Sequence, residues 1–236
     1  GVQTCALPIS GDPPLLTPKP ITLERVNLIN PKDYGAVSIL SEYTVTEKAD
    51  GERILMYINN NGKVYLINNT YRVEDTGMTV SQAGYNTIID GEFIHCHKRK
   101  DSSDKNLYAA FDIYYIGGKN VTMLPLMDSK ESRYKYLQQF TNLIVNKSTL
   151  DFIVKEHKYS NNIFDETKNI LMATDKYPYD IDGLIFTPAK LALYAYYTNN
   201  PVKLADNVKW DRVFKWKPED QNTIDFLVKI DKTITK

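Results

Sequence analysis

Cysteine is scarce in this sequence: there are 2 in 236 residues, Cys5 and Cys96. Two thiols cannot build a disulfide framework, so the chain reads as a protein of a reducing, intracellular compartment. Long apolar runs are missing too. The longest, Leu191 to Tyr197 (LALYAYY), falls far short of the roughly 20 residues a bilayer-spanning helix needs, so no membrane segment is expected. Neither sign of charge predominates, with 29 Lys+Arg against 29 Asp+Glu. A chain without a global basic field does not wrap duplex nucleic acid, and any polyanion it handles is gripped locally. Internal repeats and low-complexity tracts are also lacking. What is present is an ordinary globular composition, 42% hydrophobic and 25% charged, which argues against disorder and fits one large domain or two small ones.

The first ten residues, GVQTCALPIS, carry no charge and no periodicity and read as a translated sequencing-adapter scar outside the fold. Residues 11–20 (GDPPLLTPKP) form an extended Pro-rich lead. Strands are expected at Glu42–Lys48, Arg53–Asn59 and Lys63–Asn68, the last two joined by an Asn60-Asn61-Gly62 hairpin turn. Two more follow at Thr87–His97 and Leu107–Ile116, closed by Gly117-Gly118. Asp128 to Asn146 is the clearest helix: Asp128 and Glu131 make a capping-box pattern, and Tyr136, Leu137, Phe140, Leu143 and Ile144 recur at helical spacing. A strand at Phe152–Val154, a helix at Ile163–Thr174 and strands at Gly183–Thr187, Val213–Lys217 and Thr223–Ile230 complete the chain. Strands dominate with two inserted helices, which predicts an α+β fold with mostly antiparallel sheets.

The most informative hexapeptide is Lys48-Ala49-Asp50-Gly51-Glu52-Arg53. It leaves a β-run and enters an Asp-Gly turn that holds the lysine at a sheet edge; the plain alternative is a charged hairpin turn. It is followed by Asp90-Gly91-Glu92, Phe111-Asp112-Ile113, Asp182-Gly183-Leu184-Ile185-Phe186-Thr187-Pro188 and Phe214-Lys215-Trp216-Lys217-Pro218. Lys215 and Lys217 alternate with Trp216, so on a strand both ammonium groups point to one face; the plain alternative is an exposed strand edge guarded by lysines.

The order and spacing of these five blocks resemble motifs I, III, IIIa, IV and V of the covalent nucleotidyltransferase superfamily, which contains mRNA capping guanylyltransferases and ATP-dependent DNA and RNA ligases. The resemblance covers Glu42 to Ile230. It implies a nucleotidyltransferase fold in which Lys48 is the nucleophile that takes a nucleotide onto its ε-nitrogen. Free lysine has a pKa of about 10.4, and nearby cations and partial burial favour the neutral amine that attacks phosphorus. Lys215 and Lys217 would supply those cations and grip the α-phosphate. Glu92 and Asp182 are oxygen donors for Mg²⁺ (or Mn²⁺), or ribose acceptors, with ordinary Asp-Gly turn chemistry as the alternative. Asp180 lies two residues before Asp182 on the same face. The resemblance further implies that Arg53 contacts the ribose, that Phe111 stacks on the base, and that Asp50 and Gly51 shape the nucleophile loop; a plain core role competes for Phe111. Lys158 resembles the family's lysine before the second helix, which makes it the candidate guanine reader; a solvated loop lysine is the equal alternative.

The sequences DGLIFTP, FKWKP and Asn222-Thr223-Ile224-Asp225-Phe226 look like those of capping guanylyltransferases, especially from large DNA viruses. The implied reaction moves GMP from GTP through lysyl-GMP to the 5′-diphosphate end of RNA; the alternative is a ligase domain forming lysyl-AMP. An Asp-Arg pair usual in capping enzymes is replaced by Leu66-Ile67-Asn68-Asn69, with Arg72 beyond. Motif VI, carried on an oligonucleotide-binding (OB) domain, is absent. Residues 21–218 are therefore read as the nucleotidyltransferase domain and 219–236 as the start of a truncated OB domain within a longer polypeptide, with triphosphatase and methyltransferase modules as candidate companions. Host cytoplasm or virion follows as the setting if the source is viral. His95-Cys96-His97 invites a zinc reading, but on a strand Cys96 points away from the two histidines and no second cluster exists. Tyr194, Tyr196 and Tyr197 are expected to pack a loop near the cleft.

Overall fold

The computed structural model describes residues 17–30, 37–146, 150–195 and 209–218. The adapter-like leader, Tyr196, Tyr197, the expected Thr223–Ile230 strand and the OB segment lie outside the described residues.

Among the described residues twelve strands and two α-helices follow in the order β1 (Lys19–Thr22), β2 (Tyr43–Ala49), β3 (Glu52–Ile58), β4 (Lys63–Ile67), β5 (Val73–Val80), β6 (Thr87–Ile94), β7 (Asn106–Ile116), β8 (Lys119–Asn120), α1 (Arg133–Phe140), β9 (Ile144–Asn146), β10 (Leu150–Val154), α2 (Ile163–Met172), β11 (Ile181–Pro188) and β12 (Lys209–Trp216). They form two sheets. The smaller is ordered β1-β12-β11-β2; the larger runs β10-β7-β6-β3-β4-β5-β9, with β8 paired to β7. Pairing is antiparallel except for β1 with β12 and β10 with β7. The architecture is α+β, as the sequence predicts.

Each sheet buries one face against a helix, because alternating side chains give a strand one apolar side. Met56, Ile58, Ile89 and Ile113 of the larger sheet pack with Leu137 and Phe140 of α1. Val45, Leu184, Phe186 and Phe214 of the smaller sheet pack with Ile163 and Ile170 of α2. A third cluster, Ala49, Ile94, Leu107, Ala109 and Tyr179, draws from both sheets.

The structure departs from the sequence reading in three places. The helix foreseen over Asp128–Asn146 is only Arg133–Phe140, capped by Ser132, whose hydroxyl accepts the Lys135 N–H. Asp128 instead closes a local turn on the Lys130 N–H, and Glu131 bonds Lys119 and Tyr136. Past Phe140 one 3-10 turn leads into β9, because the edge of β5 captures Ile144 and Asn146. Second, Val73–Val80 is a strand that the sequence hides, since Glu74, Asp75 and Gly77 are poor strand formers. Third, the Asp50-Gly51 turn closes no hairpin: β2 pairs with β11, and β3 pairs with β4 and β6, so this turn carries the chain from one sheet to the other. At smaller scale, the end of the Pro-rich lead joins β1, and the strand through motif III stops at Ile94 before a 3-10 turn at Cys96–Lys98.

Candidate active site

Lys48 is the penultimate residue of β2, next to the crossing between sheets. The crossing is tight. A Cβ on Gly51 would lie 2.5 Å from the Phe93 carbonyl oxygen and 2.8 Å from Glu92 Cγ, so only glycine lets the loop rest against β6. The Lys48 ammonium donates to Asp182 Oδ1 at 2.7 Å, and the Lys217 ammonium lies 2.7 Å from Oδ2 of the same carboxylate. Asp182 reaches that position on β11, the partner of β2. Gly183 follows at φ +147°, and a Cβ there would fall 2.0 Å from the Trp216 carbonyl oxygen, which explains the glycine where β11 meets β12. Burial would raise the Asp182 carboxyl, but the ammonium groups of Lys217 and Lys48 outweigh it and hold the group below its ordinary range.

From Lys48 a cavity of about 400 Å³ opens between the sheets, with Arg53, Glu92, Phe111, Ile185 and Lys215 in its wall. Arg53 is clamped. Its Nε donates to Asp90 Oδ1 at 3.0 Å, Nη2 bonds the other oxygen, and Nη1 donates to the Pro18 carbonyl at 2.7 Å. Asp90 is fully buried and also accepts from the Tyr114 hydroxyl. Phe111 is half-buried, with the Arg53 guanidinium 5.3 Å and the Lys155 ammonium 5.6 Å from its ring centroid. Phe111 thus lines the cavity with two cations against its ring.

Lys155 and His157 were not foreseen. Lys155 is buried in the cavity wall, donates to the Glu47 carbonyl oxygen at 2.5 Å and faces the Glu47 carboxylate at 3.5 Å. Glu47, beside Lys48, accepts in turn from Tyr179 at 2.8 Å and Thr46 at 2.9 Å. The His157 ring lies 2.9 Å from the Phe111 carbonyl oxygen through Nε2 and 3.2 Å from Thr44 Oγ1 through Nδ1, and burial lowers its pKa. The available signal was the i, i+2 alternation of Lys155 and His157, which puts both on one face of an extended segment. Lys158, three residues after Lys155, stands apart: its backbone pairs with Val45, its ammonium binds Glu156 at 2.7 Å, and it does not line the cavity.

The structure therefore gathers Lys48, Arg53, Glu92, Phe111, Asp182, Lys215 and Lys217 around one cleft. Asp50 instead pairs with Lys98 at 3.2 Å and Asp180 with Lys100 at 3.2 Å, both outside the cavity wall. Tyr194 packs on Trp210, a cavity residue. His95 and His97 stack ring on ring at 5.4 Å.

Among the described residues no group hydrogen-bonds the Glu92 carboxyl, and no set of three or more His, Cys, Asp or Glu could hold a metal by itself. Burial raises the Glu92 pKa against the opposing pull of Lys155, Lys48 and Arg53. Mg²⁺ needs few protein ligands when phosphates and water supply the rest. A free Glu92 carboxyl and the Asp182 carboxylate in one cleft fit such an ion. Among the described residues no helix is long and apolar enough to cross a membrane.

Comparison with known proteins places this cleft in a family context. The family model described as mRNA capping enzyme, catalytic domain, matches residues 17–219. A probable mRNA-capping enzyme of Acanthamoeba polyphaga mimivirus is 26% identical over 264 residues, covering 90% of this chain and 22% of that protein. The mRNA-capping enzyme of Caenorhabditis elegans is 27% identical over 235 residues, covering 91% of this chain and 33% of its own. The chain thus spans a third or less of the length of these two relatives. Among solved structures, a mycobacterial DNA ligase D complexed with ATP and MES superposes with a TM-score of 0.50 at 15% identity, over 85% of this chain and 59% of that one. At that identity the likeness is one of fold.

Proposed function

We propose that this chain, which belongs to the family of mRNA capping enzyme catalytic domains, is a guanylyltransferase that carries GMP on Lys48 from GTP to the 5′-diphosphate end of RNA. The observation that carries the reading is the Lys48–Asp182–Lys217 bridge at the edge of a cavity walled by Phe111, Arg53 and Lys215. With the base on Phe111 and the ribose at Arg53, the α-phosphate falls between Lys48 and Lys215.

In the first step Lys48 Nζ attacks the α-phosphorus. The P–N bond forms, the bond from that phosphorus to the bridging oxygen breaks, and pyrophosphate leaves. Asp182 is the carboxylate within hydrogen-bond reach of Nζ, so it aims the amine and receives its proton. Lys215 and Lys217 meet the charge that grows on the phosphoryl oxygens. In the second step a terminal oxygen of the RNA diphosphate attacks the same phosphorus, the P–N bond breaks and the lysine is restored. Asp50 and Gly51 shape the nucleophile loop. Glu92 and Asp182 would hold Mg²⁺ or Mn²⁺, which neutralises phosphate charge when bound.

For guanine, Lys155 is better placed than Lys158, since it is the lysine that faces the Phe111 ring. The greater length of the relatives supports further modules in the working protein, an OB domain and triphosphatase or methyltransferase units among them. The viral relatives fit an intracellular setting in host cytoplasm or virion. The test is transfer: label from [α-³²P]GTP should move first to the protein and then, on adding 5′-diphosphate RNA, into a cap structure. Label that reaches protein from ATP and is discharged only by nicked nucleic acid would replace this reading with a ligase.

A further inference from the structure

Glu47 is a buried carboxylate one residue before Lys48 on β2, and it is not part of the cavity wall. Taking a carboxylate out of water is costly unless partners replace the lost hydration. Three partners do so here: Tyr179, just before β11, donates to Oε1 at 2.8 Å, Thr46 donates to Oε2 at 2.9 Å, and the ammonium of Lys155, just after β10, lies 3.5 Å from Oε1. Burial and the adjacent Glu47 carboxylate push the Tyr179 hydroxyl well up, so it keeps its proton and donates.

Of these partners Lys155 is the one that faces the Phe111 ring. An ammonium has three N–H donors and no acceptor. One donates to the Glu47 carbonyl oxygen at 2.5 Å, and a second turns to the Glu47 carboxylate. The third is left for the cavity, where the Phe111 ring centroid lies 5.6 Å from the nitrogen. Both anchors thus belong to one residue. Pairing with Leu184 of β11 fixes its carbonyl oxygen, and Tyr179 fixes its carboxylate. Lys48, Arg53 and Lys215 line the same cavity, so an ammonium among them needs an anion behind it to hold its place against their repulsion. Glu47 is that anion.

We infer that Glu47, held by Tyr179, is a positioning residue for base selection: it fixes Lys155 so that one N–H meets the O6 edge of a guanine seated on Phe111. Guanine presents O6 and N7 as acceptors along that edge, whereas adenine puts an amino donor in place of O6. A group with donors alone fits the first and not the second. The inference deepens the guanylyltransferase reading and rests on it, because it takes the base to lie on Phe111.

The test measures binding and chemistry apart. The probes are GDP, IDP and the diphosphate of 2-aminopurine riboside, titrated into the full chain. The first two carry O6 and the third carries hydrogen there. None can release pyrophosphate, so the titration reads binding alone. Glu47→Gln should weaken GDP and IDP about five-fold, and Tyr179→Phe about two- to three-fold, the scale of a charged hydrogen bond moved out of place. The 2-aminopurine ligand should change by less than about two-fold in both variants. In a Lys155→Ala background Glu47→Gln should weaken GDP no further, since the residue it positions is gone. At saturating GTP, lysyl-GMP should form within about two-fold of the wild-type rate. Unchanged GDP binding, equal losses for all three ligands, a further loss in the Lys155→Ala background or a slowed saturating rate would each overturn the inference, the last by showing that Glu47 acts on Lys48. Label on the wild type from ATP alone, with the O6-dependent loss retained, would leave Glu47 in this role and defeat the guanylyltransferase reading.

Discussion

The ammonium of Lys48 lies 2.7 Å from Oδ1 of Asp182, a residue 134 positions later in the chain. Two antiparallel partners, β2 and β11, bring them together, and Lys217 closes the arrangement from the other oxygen. A carboxylate shared by two lysines keeps both ammonium groups at defined positions beside the cavity while taking up part of their charge. The direction of the Lys48 amine, the proposed nucleophile, is thus set before substrate arrives, and orientation of this kind is a large part of what covalent catalysis requires.

Asp182→Asn should leave the fold intact and slow adduct formation from GTP by about 100-fold, in the range seen when one preorganised electrostatic group is removed. Single-turnover kinetics with circular dichroism as the folding control measure it. A rate within a few-fold of wild type would mean that Asp182 only ties strands together.

Gly183→Ala should fail through stability. The new Cβ would meet the Trp216 carbonyl at 2.0 Å, at a φ of +147° that L-residues rarely adopt. Such a clash in the sheet costs about 2–3 kcal/mol. For a chain of this size that is a melting temperature lower by about 4–12 °C in a thermal scan.

Lys155→Ala and Lys158→Ala should separate two lysines three residues apart. Lys155 faces the Phe111 ring from inside the cavity, so its loss should raise KM for GTP about ten-fold or more, as expected when a buried charged hydrogen bond to substrate is lost. Lys158 pairs with the exposed carboxylate of Glu156, and its loss should leave KM within two-fold of wild type. Steady-state KM values for the two variants decide between them.

His157 should make the fold acid-sensitive. Burial lowers its pKa, so the folded state holds it neutral while the unfolded chain binds a proton near pH 6.5. The unfolded state then carries more protons, and stability falls as pH drops below about 6.5 toward the lower folded pKa. Urea midpoints measured from pH 7.5 to 5 should show that decline in wild type and a flatter one in His157→Gln. Parallel curves would assign the decline to other groups.

Most of the proposed site was legible because the chemistry proposed for it fixes residue type and spacing. Lys48, Arg53, Glu92, Asp182, Lys215 and Lys217 could be named from five short blocks, and the structure gathers them at one cleft. Gly51 and Gly183 were legible as residues and not as reasons, since the backbone atoms that exclude a Cβ belong to strands distant in sequence. Lys155 escaped because its burial depends on the Glu47 carbonyl, over a hundred residues away. Strand β5 escaped because Gly77, at φ +71°, and the acidic pair before it read locally as a turn, while pairing with β4 overrides that preference. The long helix over Asp128–Asn146 was wrong for the same reason: an open edge on β5 converted its last residues to strand.

The most direct measurement is the intact mass of the protein after incubation with Mg²⁺ and either GTP or ATP, with Lys48→Ala in parallel. The account predicts a GMP adduct from GTP, none from ATP, and none in the variant. An adduct from ATP alone, or one that survives in Lys48→Ala, would contradict it.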